Sequence, residues 1–198
     1  QVILAAGTFN TQRLLHHAKL GTLPQISDAM GRLTRTNSES ILGAMGSRID
    51  PENDYSRGVA ITSSFYPEPN THIEPVRYGK GSNAIAYLQT LLTDGGSRRN
   101  RFGQFLRQVA RNPFLLVRLL VVRQWSERTV IALVMQNNNN SLTTFVRKRG
   151  PLRYVTSKQG HGEPNPTWIP AGNEATRKIA EEIGGLAGGT WGEIANIP

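Results

Sequence analysis

The stretch Thr-His-Ile-Glu-Pro-Val-Arg-Tyr, residues 71–78, decides the fold class because its apolar and polar side chains alternate along the chain. Alternation with a period of two is typical of a β-strand that has one buried face. Residues 59–66 alternate in the same way, and the turn-forming Pro-Glu-Pro-Asn of residues 67–70 joins the two segments. We therefore predict an antiparallel β-hairpin here.

Glu74 lies inside this stretch, between Ile73 and Pro75, where a carboxylate is unusual. If the side chain faces a cavity, loss of water favours its protonated form and makes it a candidate for proton transfer. If it faces solvent, a pair with Arg77 is the alternative. The alternation alone does not distinguish the two.

Alternating and helical patterns elsewhere in the chain predict further strands and helices. Residues 129–136 and 141–147 are predicted as strands, and the four asparagines between them tolerate turn conformations, so we predict a second hairpin with its tip at residues 137–140. Residues 102–125 have the strongest helical pattern, which Pro113 should divide into two helices or kink. Residues 2–6 are predicted as a buried strand that ends at Gly7 and leads into a helix.

Composition excludes several classes of protein. The 198 residues contain 23 Lys and Arg against 14 Asp and Glu, a net charge of +9, and no cysteine. A disulfide-stabilised secreted scaffold is therefore excluded. The longest apolar run, residues 114–122, contains Arg118 and is far shorter than the about 20 residues of a membrane-spanning helix. No secretory leader is recognisable within these residues. We expect a cytoplasmic protein that can associate with a membrane.

The basic charge is concentrated in one segment. Between Arg98 and Arg128 there are eight arginines and one acid, Glu127, interleaved with apolar side chains. A helix with a solvated basic face explains this pattern, and so does contact with an anionic membrane surface. Nucleic acid is not expected as a partner, because aromatic residues at the spacing of known nucleic-acid motifs are missing.

No metal site is predicted from the four histidines. His16 and His17 are adjacent, so on a helix they point about 100° apart, and His72 and His161 lack partners at ligand spacing.

Six segments together resemble the glucose-methanol-choline flavin oxidoreductases and, within that family, the cholesterol-oxidase branch. The first is Val-Ile-Leu-Ala-Ala-Gly-Thr, residues 2–8, which in the family leads out of the cofactor domain. The others are residues 11–15, 23–28, 34–39, 72–83 and 159–166.

The resemblance implies an α+β fold, a largely antiparallel sheet with helices on one side, in which residues 1–198 form the substrate-binding domain. Residues 1–20 would be a strand, turn and helix leading out of an FAD domain. The implied enzyme oxidises a sterol or another apolar secondary alcohol by hydride transfer to FAD, with double-bond isomerisation as a second step. Glu74 is the residue that most resembles the acidic proton carrier of that branch.

The same resemblance assigns further residues. Ala5, Ala6 and Gly7 would lie against the cofactor, where missing side chains allow close approach. Phe105, Phe114 and Leu115 would belong to the apolar wall of the substrate site.

The family's dinucleotide fingerprint and its catalytic histidine and asparagine have no counterpart in these residues. The FAD domain of the same protein is therefore an expected partner, and this chain alone is expected to bind FAD weakly and to be inactive. The competing hypothesis is a stand-alone basic module that binds anionic lipid or nucleic acid.

Overall fold

The computed structural model describes residues 2–96 and 98–195, which fold into two compact units. The larger unit comprises residues 37–137 and 166–198, and the smaller unit comprises residues 1–36 and 138–165. In chain order the elements are α1 (Gly7–Lys19), β1 (Ser40–Gly46), β2 (Phe65–Glu68), β3 (Thr71–Val76), a 3-10 helix (Asn83–Leu88), β4 (Gln89–Leu91), α2 (Arg98–Arg111), α3 (Pro113–Leu119), α4 (Trp125–Arg128), β5 (Thr129–Gln136), β6 (Asn140–Arg149), β7 (Leu152–Gly162), α5 (Pro170–Glu182), β8 (Gly185–Thr190) and α6 (Trp191–Ile194).

The larger unit is built on a six-stranded sheet with the strand order β2-β3-β5-β1-β8-β4. Every neighbouring pair is antiparallel. The predicted α+β class with a largely antiparallel sheet is thus confirmed. The hairpin around Glu74 is also confirmed as β2 and β3, although its first strand begins at Phe65.

Alternation along the strands separates two apolar cores, one on each face of the sheet. On one face, Ile73 and Val134 pack in a cluster that includes Ile169 and Ala175 beside and within α5. On the other face, Ile131 belongs to a cluster with side chains of the segment between β4 and β5, namely Phe105, Leu119 and Trp125. Helices therefore pack on both faces.

A buried charge cluster holds α2 in place. Arg101 is fully buried and donates hydrogen bonds to the carbonyl oxygens of Thr93 and Thr167, at 3.1 and 3.0 Å. Its guanidinium lies 3.5 Å from the carboxylate of Glu193, which also accepts a hydrogen bond from Ser40 Oγ at 2.7 Å. Burial raises the pKa of Glu193, with Ser40 and Arg101 opposing that effect.

The smaller unit combines the β6–β7 hairpin with α1. The two strands pair antiparallel, and the turn between them contains Gly150 at φ +59°. His16 on α1 lies 3.0 Å from Thr144 Oγ1 on β6. Burial lowers the pKa of His16, and Lys19 adds to the shift.

Two sequence predictions are wrong. Residues 137–140 are not the tip of a hairpin, because β5 pairs with β1 and β3 while β6 pairs with β7. Both edges of β5 are thus occupied, which leaves no place for β6 beside it. Residues 2–6 form no strand, because they find no strand partner among the described residues, and α1 begins directly at Gly7.

The predicted break at Pro113 is confirmed. It separates α2 from α3, and the preceding Asn112 has left the helical region, with φ −150°. No helix in the described ranges combines the length and the apolar character that crossing a bilayer requires.

Candidate functional site

An apolar cavity of about 300 Å³ lies on the sheet face that carries Ile41, Gly43 and Ile131. We refer to this face as the cavity face. The wall is mainly aliphatic and includes Val76, Ile85, Leu88 and Leu133. A volume of about 300 Å³ is at the lower end of the range for small-molecule sites.

Glu74 is on the cavity face and lies beside the cavity, although it is not one of the residues that line it. It pairs directly with Leu133 on β5 and lies two residues from Val76, and both of these residues line the cavity. Its side chain is 27% exposed. The carboxylate is therefore partly exposed to water and lies beside residues of the apolar wall, which suits a group that exchanges protons.

The neighbour of the Glu74 carboxylate is His72, whose Nε2 atom lies 3.9 Å from Glu74 Oε1. Arg77, the partner considered in the solvent-facing alternative, instead donates a hydrogen bond to the carbonyl oxygen of Arg57 at 2.6 Å. That part of the alternative is wrong. Arg57, in the segment between β1 and β2, therefore holds Arg77 away from the Glu74 carboxylate.

Another carboxylate, Glu39, does line the cavity and was missed by the sequence analysis. Its Oε2 atom accepts a hydrogen bond from Asn37 Nδ2 at 2.8 Å. Glu39, Ile41 and Gly43 are two residues apart along the chain, so in a strand their side chains lie on the same face of the sheet. This spacing could have identified Glu39 from the sequence.

Gln89 is another polar residue of the wall, and the sequence analysis also missed it. It begins β4, is 6% exposed and pairs with Thr190 on β8. Its Oε1 atom accepts a hydrogen bond from the indole Nε1 of Trp125 at 2.6 Å. Trp125 also lines the cavity, so this bond ties two wall residues together.

The predicted wall residues lie elsewhere in the larger unit. Phe105 is 6% exposed in the core and makes an edge contact with Trp191, at 5.7 Å between ring centres. Phe114 is 75% exposed and Leu115 packs at the edge of the core. None of the three lines the cavity, so their contact with a substrate stays a prediction.

Ala5, Ala6 and Gly7 belong to the smaller unit and are exposed. Gly7 has φ +74°, and a Cβ added there would meet no atom within 4 Å. The backbone at these residues is thus open to close approach by a flat group.

An apolar cavity on an antiparallel sheet, with one carboxylate in its wall and another beside it, has the shape and chemistry that suit an apolar small molecule. The chain is 58% identical, over 205 aligned residues, to proteins named cholesterol oxidase from Mycobacterium tuberculosis, strains CDC 1551 / Oshkosh and H37Rv. It is 35% identical over 199 residues to a cholesterol oxidase of Acinetobacter baumannii.

Each alignment covers all of this chain and 35% of the relative. The chain thus spans about a third of the length of these curated relatives. The predicted resemblance to the cholesterol-oxidase branch is confirmed over that third. No protein-family model matches the chain, and no solved structure does.

Proposed function

We propose that this chain forms the substrate-binding part of an FAD-dependent oxidoreductase of the glucose-methanol-choline type, which oxidises a sterol-like secondary alcohol. The observation that carries the proposal is the apolar cavity with Glu74 at its margin. The names of the relatives support the same substrate class. FAD, when bound in the full-length protein, supplies the acceptor for the hydride that leaves the alcohol carbon.

The chain's own part in this reaction is to bind the apolar body of the substrate and to move a proton. The aliphatic wall excludes water from the bound molecule. Oxidation of an alcohol near a double bond gives a ketone whose neighbouring C–H group is acidic. Glu74 takes a proton from that carbon and returns it to the far carbon of the double bond, which completes the isomerisation without net gain or loss of protons.

The open backbone at Ala5, Ala6 and Gly7 suits contact with the flat ring of a flavin held by the rest of the protein. These three residues offer no charged side chain for the pyrophosphate. Tight FAD binding is therefore assigned to the FAD domain of the full-length protein.

The test uses Glu74→Gln in the full-length protein, with flavin reduction and enone formation followed separately by absorbance. We expect isomerisation to slow by about a hundredfold, as is typical after loss of a general acid/base, while flavin reduction largely survives. Glu68→Gln is the matched control, because Glu68 lies on the same hairpin but pairs with Thr71, which does not line the cavity and which donates a hydrogen bond to Glu68.

Two outcomes would contradict the assignment. Equal loss of both steps would mark Glu74 as structural. A selective loss of isomerisation in Glu39→Gln, with Glu74→Gln unaffected, would transfer the proton carrier to the other carboxylate of the cavity.

A second proposal is contact with an anionic lipid surface through α2 and α3. Phe102, Phe114 and Val117 are 51%, 75% and 59% exposed. Arg107 and Arg111 are exposed on the same pair of helices. Exposed apolar side chains beside arginines favour an interfacial segment over a helix that buries its apolar face completely.

A further inference from the structure

The far half of the β6–β7 hairpin is exposed and strongly basic. All eight residues from 147 to 154, including the turn at Gly150, are exposed. Four of the eight are cations, and residues 138–162 contain no aspartate or glutamate. None of the four forms an ion pair with a carboxylate in the described residues 2–96 and 98–195. The positive charge of this hairpin is therefore not neutralised within the part of the chain that carries it.

The strand register divides the hairpin into two faces, because residues that pair directly across an antiparallel ladder point to the same side. Thr144 marks the face on which α1 packs, since its Oγ1 atom lies 3.0 Å from His16. The pair Lys148–Arg153 belongs to that same face. We refer to the opposite face as the outer face, and its members are Phe145, Arg147, Arg149, Leu152, Tyr154 and Lys158.

The outer face combines its cations with exposed apolar side chains. Leu152 is 69% exposed and Tyr154 is 42% exposed. Lys158 Nζ lies 5.9 Å from the centre of the Phe145 ring, so charge and aromatic surface alternate along the face. A soluble polyanion is bound by the charges alone and has no use for an exposed leucine beside the turn. An anionic lipid surface uses both, because cations meet the headgroups while apolar side chains enter the acyl boundary.

We propose that the outer face of the β6–β7 hairpin, together with its turn, docks the full-length protein on an anionic lipid surface. Arg147 and Arg149 contact the lipid phosphates, Leu152 enters the acyl boundary, and Tyr154 lies at the level of the headgroups. The hairpin belongs to the smaller unit, whereas α2 and α3 belong to the larger one. This contact is thus separate from the one proposed for those helices, and it does not depend on the identity of the substrate.

The test measures sedimentation of the full-length protein with vesicles made of equal parts phosphatidylglycerol and phosphatidylcholine. We expect Arg147→Gln with Arg149→Gln to weaken binding about 25-fold, since each basic residue at such a surface contributes about fivefold. The matched control is Lys148→Gln with Arg153→Gln, which removes the same charge from the same hairpin but on the side of α1. The control should weaken binding less than about threefold, because it alters only the screened, longer-range attraction.

A further variant distinguishes a lipid surface from a soluble polyanion. Leu152→Asn keeps every charge and changes a side chain that is mostly exposed, so the fold should be retained. It should weaken vesicle binding about tenfold, because the asparagine cannot enter the acyl boundary, and it should leave binding to heparin unchanged.

Three results would overturn the inference. Equal weakening by the two double variants would show that only diffuse basic charge matters. Unchanged vesicle binding in Leu152→Asn would assign the outer face to a soluble polyanion. Unchanged binding in Arg147→Gln with Arg149→Gln would leave the face to another part of the full-length protein. If Arg107→Glu with Arg111→Glu weakens vesicle binding in that last case, the contact proposed for α2 and α3 stands without the hairpin.

Discussion

Gly43 provides the sharpest test that the cavity is a binding site, because a side chain at this position should stabilise the protein and obstruct the substrate together. Gly43 is central in β1 and lines the cavity. A Cβ added there would lie 3.5 Å from the carbonyl oxygen of Val130 and 3.9 Å from Thr129 Cγ2, which are ordinary contacts. Because Gly43 lines the cavity, the γ carbons of a valine would extend into the cavity, next to the Gln89 side chain that lies over its β8 neighbour Gly188.

The magnitude follows from two contributions. Replacing a strand glycine by a residue with a side chain removes a penalty of about 0.5–1 kcal/mol. Burying the valine side chain in an empty apolar space contributes about 1.5–3 kcal/mol at most. We expect Gly43→Val to raise the free energy of unfolding by about 1–3 kcal/mol. The valine and the substrate would then compete for the same space. Substrate binding should be weakened by a similar free energy, which raises KM by about tenfold or more.

The assay pairs urea unfolding, followed by tryptophan fluorescence, with the KM for a sterol in the full-length protein. Gly103→Ala is the control, because Gly103 lies within α2 and a Cβ there would meet no atom within 4 Å. It should add about 1 kcal/mol of helix stability without changing KM. Destabilisation by Gly43→Val would show that the space is already filled. Stabilisation with an unchanged KM would show that substrate binds elsewhere.

The remaining predictions concern stability and the membrane. Burial opposes ionisation of Asp94, but hydrogen bonds from Arg177 and Asn173 and the charge of Arg177 lower its pKa overall. The ionised carboxylate therefore stabilises the folded protein at neutral pH, and this stabilisation is lost as the pH falls below about 4. Because the carboxylate is half exposed, Asp94→Asn should lower the free energy of unfolding by only about 0.5–1 kcal/mol at pH 7. In urea unfolding, the variant should lose less stability at acid pH than the wild type does. An unchanged pH dependence would contradict this. The full-length protein should sediment with anionic vesicles at low salt and release at about 0.5 M salt, since each basic residue near such a surface contributes about 1 kcal/mol. Arg107→Glu with Arg111→Glu should weaken this binding, and sedimentation that responds neither to salt nor to these changes would reject the electrostatic contact.

Predictions from the sequence succeeded where the determining interactions are local. The alternation around Glu74 identified its strand, and Pro113 identified the break between α2 and α3, because both effects act within a few residues. The second hairpin failed because β5 is paired on both edges by strands distant in sequence. The turn residues 137–140 carry no information about which distant strands pair with β5.

The candidate site was predictable only in part for the same reason. Glu74 is conspicuous as a carboxylate between apolar neighbours. Gln89 is not conspicuous in the sequence, because its strand has only three residues. Its side chain is bound by Trp125, which is 36 positions further along the chain. The function itself came from the family resemblance, since no spacing of residues in this chain defines a complete active site.

The features of the cavity favour the proposal that it binds a ligand over the alternative that it is a packing defect. An empty apolar space costs stability in proportion to its volume, and strand glycines add a further cost. Gly43 and Gly189 both line the space, although a larger residue at Gly43 would meet only ordinary contacts. A packing defect also has no reason to carry a carboxylate in an otherwise mainly aliphatic wall, yet Glu39 lines this space together with Ile41. Glu74 lies on the same face, paired with Leu133 of the wall, so an apolar molecule in the space would lie against aliphatic side chains with carboxylates close by.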